Sequence, residues 1–447
     1  MHIFKSLLLA SALLSVAPTA FAADDTARMD QVVQSHVDAK EFMGTVLVAR
    51  DGKVIFEKAY GYANLEWMVP ETIDTKYRLG SVTKQFTAAS ILLLQERGKL
   101  KLSDPIKLYV PEAPAAWDKI TIAHLLSHTS GVINFTGLPD YAATQRLPTT
   151  PAELIKRFRD QPLDFKPGEG WNYSNSGYVL LTAAIEKASG QTYTQFLTDN
   201  IFKPLGMDDT GYDNASTLLS HRASGYTPGA GMPRNADFID MTVPQGAGGL
   251  YSTTHDLLKW EQGLFGGKVL KPESLALMTT PVKDGYAMGV GVADGANGKE
   301  VSHGGGIDGF NTHLSYYPAD KTTIVVLSNM NGPVTDVIDS QLGDLAHGKK
   351  VELASERKSV EVAPAVLETY AGTYALAPTF KLVMTVENGQ LMTQATGQGK
   401  FPLFAESETV FFLKVVDAKV EFFKGSDGKV AYLVLHQNGR DQKAMKE

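Results

Sequence analysis

The sequence predicts an α+β fold, in which a large domain with one antiparallel sheet flanked by helices is followed by a small antiparallel β-barrel domain. Hairpin patterns at residues 45–56 and 313–327, with helical patterns between them, indicate that both ends of the large domain contribute strands to its sheet. Short strand patterns separated by turn dipeptides after residue 365 indicate the barrel. At 447 residues, the chain is long enough for two or three domains.

The composition excludes several classes of protein. The chain has no Cys, which rules out a disulfide scaffold, a Cys-ligated metal centre and a thiol nucleophile. Its 42 Lys and Arg residues against 49 Asp and Glu residues give a formal net charge of −7, and no long basic run occurs. We therefore expect no nucleic-acid partner.

The first 22 residues have the pattern of a cleavable secretory signal. Lys5 precedes an apolar run, and Ala20-Phe21-Ala22 supplies an A-x-A cleavage site. The apolar run is too short to remain as a membrane span. The sequence therefore predicts a periplasmic or secreted protein, with no stable membrane span once residues 1–22 have been removed.

The large domain is expected to occupy residues 23–350. Its first hairpin turns at Asp51-Gly52, a strong hairpin dipeptide, and its last turns at residues 318–321. Between them, a helix is predicted to start at about Ser81 and to end at Gly98, because apolar residues recur at helical spacing over this stretch.

A charged and poorly patterned stretch at residues 351–364 is typical of a linker. The barrel domain is expected at residues 365–447, where Asn388-Gly389, Asp427-Gly428 and Asn438-Gly439 mark hairpin turns. We expect the barrel to narrow the cleft of the larger domain or to contact another copy of the chain. The alternative is that the barrel carries a small apolar ligand and the larger domain is its scaffold.

Candidate chemistry begins at Ser81-Val82-Thr83-Lys84. Residues three apart on a helix share a face, so the Ser81 hydroxyl and the Lys84 amine are expected to be neighbours. The N-terminus of a helix stabilises negative charge, and a desolvated Lys loses its proton readily. Both effects favour a serine nucleophile, although this pattern alone also fits an ordinary N-capping serine.

Two further segments strengthen the case for a catalytic site. Tyr173 and Asn175 lie two positions apart on a predicted turn, so both can point into one cleft. His303 is followed by three glycines, just ahead of the last hairpin, and Gly305 and Gly306 leave room for a substrate at a strand edge. The backbone N–H groups there are open to an oxyanion.

Three motifs therefore follow one another along the chain: Ser81-x-x-Lys84, Tyr173-Ser174-Asn175 and His303-Gly304-Gly305. In this order and at these separations they resemble the motifs of the serine β-lactamase and penicillin-binding superfamily. The class C-like branch, with its family VIII esterases, D-aminopeptidases and DD-carboxypeptidase-like enzymes, is the most similar. The tail from Tyr370 to Gly439 resembles the lipocalin-like C-terminal domain of some serine peptidases of this branch.

The resemblance implies acyl transfer through a covalent intermediate. Ser81 would attack the carbonyl, and Lys84 and Tyr173 would together accept its proton. The N–H groups of Ser81 and Gly306 would form the oxyanion hole.

Asn175 would orient the acyl side chain, with His303 and Gly305 on the substrate-binding strand. Neither a metal nor another cofactor is implied. The expected partner is a small-molecule or peptide substrate, and a homo-oligomer is left open.

The chain departs from the family pattern at position 303, where β-lactamases and many penicillin-binding proteins carry Lys. A largely neutral His offers less charge to a substrate carboxylate, which favours esters, amides or D-residue peptides over β-lactams. The alternatives are a DD-carboxypeptidase-like enzyme, a weak β-lactamase, or a penicillin-binding sensor that does not turn over. His124 and His128 are spaced i,i+4 without the Glu of a zinc motif, so we expect them to pack or to cap.

Overall fold

The computed structural model describes residues 23–229, 232–437 and 440–447. The predicted signal, residues 1–22, lies outside the described residues. Among the helices that the structure describes, none is both long and apolar enough to cross a membrane. The helices are α1 (Ala23–Asp38), α2 (Thr83–Glu96), α3 (Ile122–Leu126), α4 (Tyr141–Thr144), α5 (Pro151–Arg159), α6 (Asn175–Ser189), α7 (Tyr193–Leu197), α8 (Lys203–Leu205), α9 (Gln245–Gly248), α10 (Thr254–Phe265), α11 (Pro272–Met278), α12 (Val334–Ala346) and α13 (Pro364–Tyr370).

The strands fall into two groups. Those of the large domain are β1 (Gly44–Arg50), β2 (Lys53–Tyr60), β3 (Tyr62–Asn64), β4 (Val69–Pro70), β5 (Tyr77–Arg78), β6 (Gly211–Tyr212), β7 (Tyr226–Thr227), β8 (Arg234–Asn235), β9 (Leu250–Ser252), β10 (Gly291–Gly295), β11 (Gly298–Ile307), β12 (Phe310–Tyr317) and β13 (Thr322–Ser328). Those of the barrel are β14 (Gly372–Ala377), β15 (Phe380–Glu387), β16 (Gln390–Ala395), β17 (Lys400–Pro402), β18 (Phe404–Ala405), β19 (Val410–Phe412), β20 (Ala418–Lys424), β21 (Val430–Gln437) and β22 (Arg440–Lys446).

The main sheet joins the two ends of the large domain, as the hairpin patterns predicted. Its order is β10-β11-β12-β13-β1-β2, and every neighbouring pair is antiparallel. The first turn has Asp51 at φ 46° and Gly52 at φ 75°. Two successive positive φ angles match the twist of a two-residue hairpin, which explains why this dipeptide turns the chain here.

The side chains of β1 point alternately to the two faces of the main sheet, and they pack into two separate apolar layers. Leu47 and Ala49 face the helices that include α2 and α6, and this layer is the largest apolar core of the described chain. Val46 and Val48 face the opposite way, against α1 and α12. Since side chains alternate across a strand, α2 and α12 lie on opposite faces of one sheet.

The barrel is a nine-stranded antiparallel sheet with the order β17-β16-β15-β14-β22-β21-β20-β19-β18. Its two end strands are consecutive in sequence and are separated by Leu403 alone, which is buried. The sheet therefore curls until its edges nearly meet around its own apolar core. Asn388-Gly389 forms a turn as predicted, whereas Asn438 and Gly439 lie outside the described residues.

Within one chain the barrel does not narrow the catalytic cleft, because the described residues that line the cleft all belong to the large domain. The end of α1 lies at the barrel mouth, where Lys40 and Glu41 share a cavity of about 610 Å³ with barrel residues such as Phe401 and Leu435. Arg28 of α1 also pairs with Glu356 in the segment between the domains. Because α1 packs on the α12 side of the main sheet, the barrel lies behind that sheet, away from the serine.

Candidate active site

Ser81 lies in a short 3₁₀ turn, Gly80–Val82, and the α-helix begins two residues later at Thr83. The predicted start at about Ser81 was therefore slightly early. Gly80 has φ 53°, and a side chain there would meet the backbone of Gly306 at 2.8 Å. The turn that contains Ser81 therefore approaches strand β11 so closely that position 80 requires glycine.

Lys84 reaches Ser81 from the first turn of α2. Its Nζ is 3.0 Å from Ser81 Oγ, as the i,i+3 spacing predicted. It also donates to Asn175 Oδ1 at 2.8 Å and to the carbonyl of Ala247 at 2.7 Å. The side chain is 0% exposed, so these three contacts hold the amine at a site that solvent does not reach.

Burial lowers the pKa of Lys84 well below its ordinary value. Asn175 Oδ1 and the Ala247 carbonyl only accept hydrogen bonds, so they take two N–H groups of the amine. A neutral amine then has its lone pair left for the Ser81 hydroxyl. The arrangement fits a base that accepts the Ser81 proton and can hold it afterwards.

Tyr173 brings a second titratable group to the serine. Its hydroxyl oxygen is buried and has no hydrogen-bond partner of standard geometry, although Ser81 is close enough to oppose part of the shift in its pKa. Burial, the larger effect, raises the pKa of Tyr173 above its ordinary value. The phenol therefore stays protonated at neutral pH and is suited to donate its proton, which differs from the expectation that Tyr173 helps Lys84 to accept the proton of Ser81.

Asn175 is the first residue of α6, and its amide is oriented by two neighbours. The oxygen accepts from Lys84, and the nitrogen lies 3.4 Å from the hydroxyl of Thr136. Lys84 thus fixes which amide atom faces the cavity. Asn175 and Thr136 both line the cavity, so the amide nitrogen beside Thr136 is a donor that a substrate carbonyl can use.

The strand β11 passes directly beside the serine turn. Its pairing with β10 ends at Ser302, which leaves the edge from Gly304 onward open toward that turn. A side chain at Gly305 would lie 2.0 Å from the carbonyl of Leu79. Glycine is therefore required there, whereas Gly306 is exposed and its backbone nitrogen faces Gly80, the neighbour of Ser81.

His303 faces the same site, and both of its ring nitrogens have partners. Nδ1 is 2.6 Å from the Gly304 carbonyl, which only accepts, so Nδ1 carries the proton. Nε2 is 3.0 Å from the hydroxyl of Tyr286 and accepts from it. Burial, reinforced by repulsion from Lys84, lowers the pKa of His303 to about 3, which keeps the ring neutral.

Sequence reasoning missed Tyr286, and it did not place His128 at this site. Tyr286 comes from a loop without a recognisable pattern. His128 is buried with φ 59° and accepts the backbone N–H of Ser174. Its ring lies against that of Tyr173, with centroids 4.3 Å apart and planes inclined by 40°. His128 therefore holds the turn between Tyr173 and Asn175, and His124 caps α3 with Thr121, so both histidines act as predicted.

One cavity of about 220 Å³ lies beside Ser81, and three of the predicted site residues, Ser81, Asn175 and Gly306, line it. The other predicted site residues, Lys84, Tyr173, His303 and Gly305, do not line it. Among the described residues that line the cavity, none is Lys or Arg, and the one charged side chain is Asp308. The cavity therefore offers no fixed cation to a substrate carboxylate.

Comparison with protein families agrees with this geometry. The family model described as Beta-lactamase matches residues 29–348, well over half of the chain. The chain belongs to the β-lactamase superfamily of serine hydrolases. A second model, described as a domain of unknown function (DUF3471), matches residues 356–446, which includes all nine barrel strands of this superfamily member.

Relatives of this β-lactamase superfamily chain include proteins named for penicillin binding. Penicillin-binding protein 4* of Bacillus subtilis (strain 168) is 30% identical over 433 residues, which cover 91% of this chain and 95% of the relative. The octameric penicillin-binding protein homologue from Pyrococcus abyssi has a TM-score of 0.69 at 27% identity, covering 94% of this chain and 100% of that one.

A third relative has a different named activity. The D-stereospecific amidohydrolase from Streptomyces sp. has a TM-score of 0.61 at 26% identity, covering 72% of this chain and 98% of that one. The superfamily fold is therefore shared by proteins named for penicillin binding and by one named for amide hydrolysis.

Proposed function

We propose that the protein is an exported serine hydrolase that cleaves ester or amide bonds through a Ser81 acyl-enzyme, acting as an esterase or a D-residue peptidase. One observation carries the proposal: the buried Lys84 amine lies 3.0 Å from Ser81 Oγ, with two carbonyl oxygens holding its other N–H groups. This arrangement supports proton removal from Ser81 by an uncharged amine.

The chemical steps follow from the protonation states. Ser81 Oγ bonds to the substrate carbonyl carbon while its proton passes to Lys84. The bond to the leaving group then breaks as Tyr173 donates its phenolic proton, and the Lys84 ammonium restores that proton to Tyr173. The N–H groups of Ser81 and Gly306 hold the oxyanion, and water repeats the sequence with Ser81 as the leaving group.

Charge in the cavity supports the choice of substrate class. The carboxylate of Asp308 disfavours a substrate with a carboxylate beside the scissile bond, and a neutral His303 supplies no charge to offset it. The same carboxylate favours a substrate with a free ammonium group, such as an amide or ester of a D-amino acid. The named activity of the Streptomyces amidohydrolase agrees with this class.

Export and localisation rest on the sequence of residues 1–22, which has a basic start, an apolar run and an A-x-A site. We expect the mature protein in the periplasm or in the medium. Fractionation of the producing cells, with N-terminal sequencing of the recovered protein, tests this part of the proposal.

The substrate class is tested with two anilides that differ only in charge, D-alanine p-nitroanilide and its N-succinyl derivative. We expect the first to have a kcat/KM at least about tenfold higher, and Asp308→Asn to narrow this ratio. Asp160→Asn, at an exposed carboxylate that does not line the cavity, is the control and should leave the ratio unchanged.

A panel of p-nitrophenyl butyrate, a D-Ala-D-Ala peptide and a fluorescent penicillin completes the test. A preference for the succinylated anilide would overturn the charge argument. A stable penicillin adduct without turnover of any substrate would favour the penicillin-binding sensor instead.

A further inference from the structure

A cluster of side chains of the kinds that bind metal ions lies on the face of strand β11 opposite to the one that carries His303. Glu300 on β11, His313 on β12 and Asp339 on α12 each present one ligand atom, and these atoms lie within 4.8 Å of one another. Sequence spacing gave no sign of this set, because the three residues come from three separate elements with no motif between them.

The histidine has the orientation of a metal ligand. Its Nδ1 is 2.7 Å from Asp336 Oδ1, so Nδ1 donates to that carboxylate. Its Nε2 faces Asp339 Oδ2 at 3.7 Å, close to the separation of about 3.4 Å between two ligands of a tetrahedral zinc ion. A carboxylate that accepts from the other ring nitrogen is the usual partner of a zinc-bound histidine.

Both carboxylates accept hydrogen bonds from neighbouring hydroxyl groups, and that of Asp339 keeps one oxygen without a donor. Ser315 donates to Asp339 Oδ2 at 2.8 Å, and Tyr317 donates to Glu300 Oε2 at 3.0 Å. Asp339 is only 3% exposed, yet its Oδ1 has no hydrogen-bond partner. A buried carboxylate oxygen without a partner is costly unless a cation compensates it, and His313, even when protonated, faces Oδ2 rather than Oδ1.

We propose that Glu300, His313 and Asp339 form a binding site for a divalent transition-metal ion, Zn²⁺ above all, with Asp336 orienting the histidine. One imidazole and two carboxylates suit Zn²⁺ better than Mg²⁺ or Ca²⁺, which prefer oxygen ligands alone. His313 is 15% exposed, which leaves a path for the ion.

The place of this site in the fold gives it a positioning role. His313 pairs with Gly304 across the two strands, and a side chain at Gly304 would meet His313 Nδ1 and Asp336 Oδ1 at 3.5 Å each. A bound ion would tie β11 and β12 to α12. Strand β11, which places His303 and Gly306 beside Ser81, would then be fixed in position from its other face.

The test measures zinc binding to the untagged full-length mature protein, by competition with a chromophoric chelator and by metal analysis after dialysis. We expect one equivalent of Zn²⁺, and at least about tenfold weaker binding in each of His313→Gln, Asp339→Asn and Asp336→Asn. His347→Gln, at the end of the same helix and outside the cluster, is the matched control and should bind like the parent protein.

Thermal unfolding supplies a second readout that does not depend on hydrolysis. Zinc should raise the Tm of the parent protein and of His347→Gln, and it should not raise the Tm of His313→Gln. Two outcomes would overturn the proposal: no zinc retained by the folded parent protein, or undiminished zinc binding in folded His313→Gln. Since Ser81 is not altered, failure of this site leaves the proposed hydrolase activity untouched.

Discussion

Lys84 Nζ and Ser81 Oγ are 3.0 Å apart, and the amine is fully shielded from solvent. Shielding makes the charged form of the amine unfavourable, so the same contact that orients Lys84 also prepares it to accept a proton. The activity of the protein should therefore follow the protonation of Lys84.

We predict that kcat/KM rises with pH as Lys84 loses its proton, and that this rise is centred well below the ordinary lysine pKa of 10.5. The sign follows because only the neutral amine accepts the Ser81 proton. Lys84→Arg should be inactive across the range, because a guanidinium stays protonated. The measurement is a pH profile of p-nitrophenyl butyrate hydrolysis, and a rise centred near 10.5 would contradict the assigned role.

His303 should add no step to the same profile between pH 5 and 8. Burial and Lys84 hold its pKa at about 3, so the ring is already neutral throughout that range. His303→Gln should keep the shape of the profile while altering KM, because Gln can still accept from Tyr286. A titration step near pH 6.5 that disappears in His303→Gln would show that the ring ionises during turnover.

Removing the hydroxyl group of Tyr173 should lower activity, whereas removing that of Tyr178 should lower stability. The Tyr173 hydroxyl has no standard hydrogen bond, so Tyr173→Phe should lower kcat by about 10²-fold or more and leave Tm nearly unchanged. The Tyr178 hydroxyl donates to the Leu126 carbonyl at 2.8 Å, so Tyr178→Phe should cost about 1 kcal/mol of unfolding free energy and keep most activity. Equal activity in the two variants would remove Tyr173 from the mechanism.

Adjacent glycines on β11 should differ in their tolerance of a methyl group. The added carbon in Gly305→Ala would meet the Leu79 carbonyl at 2.0 Å, so this variant should lose activity and about 1–3 kcal/mol of stability. In Gly304→Ala the nearest atoms are 3.5 Å away, an ordinary contact. Steady-state kinetics and thermal melts of both variants are the measurement, and a fully active Gly305→Ala would mean that the strand can move away from the serine turn.

The barrel should be dispensable for hydrolysis of a small substrate. The described residues that line the catalytic cavity all belong to the large domain, and the two domains have separate apolar cores. A chain that ends at Glu356 keeps the contact with Arg28, and it should retain kcat/KM for p-nitrophenyl acetate within about threefold. A loss of more than tenfold in a chain that is still folded would restore a catalytic role for the barrel.

Local patterns were enough to predict the main features of the fold and site. The three-residue spacing of Ser81 and Lys84 predicts their contact because helix geometry is fixed within one turn. The hairpin dipeptides predict turns because few residues accept positive φ. The pairing of the first and last strands followed from their position at the two ends of a mixed pattern.

Contacts that depend on tertiary packing could not be predicted in this way. The bond between Tyr286 and His303 joins a loop without a pattern to a strand, and the spacing of 17 residues carries no geometric rule. The meeting of Glu300, His313 and Asp339 depends on how α12 packs against the sheet. The barrel was predicted as a domain. Its position on the α12 side of the main sheet depends on contacts of α1 that no local sequence pattern predicts.

The central claim, that Ser81 forms an acyl-enzyme, is tested most directly by intact-mass spectrometry of the mature protein, quenched soon after mixing with p-nitrophenyl butyrate. We predict a mass increase of one butyryl group, its absence in Ser81→Ala, and its retention in the control Ser355→Ala, at an exposed serine between the two domains. Ser81→Ala should also reduce kcat/KM by about 10⁴-fold or more. Acylation or undiminished hydrolysis in Ser81→Ala would contradict the account.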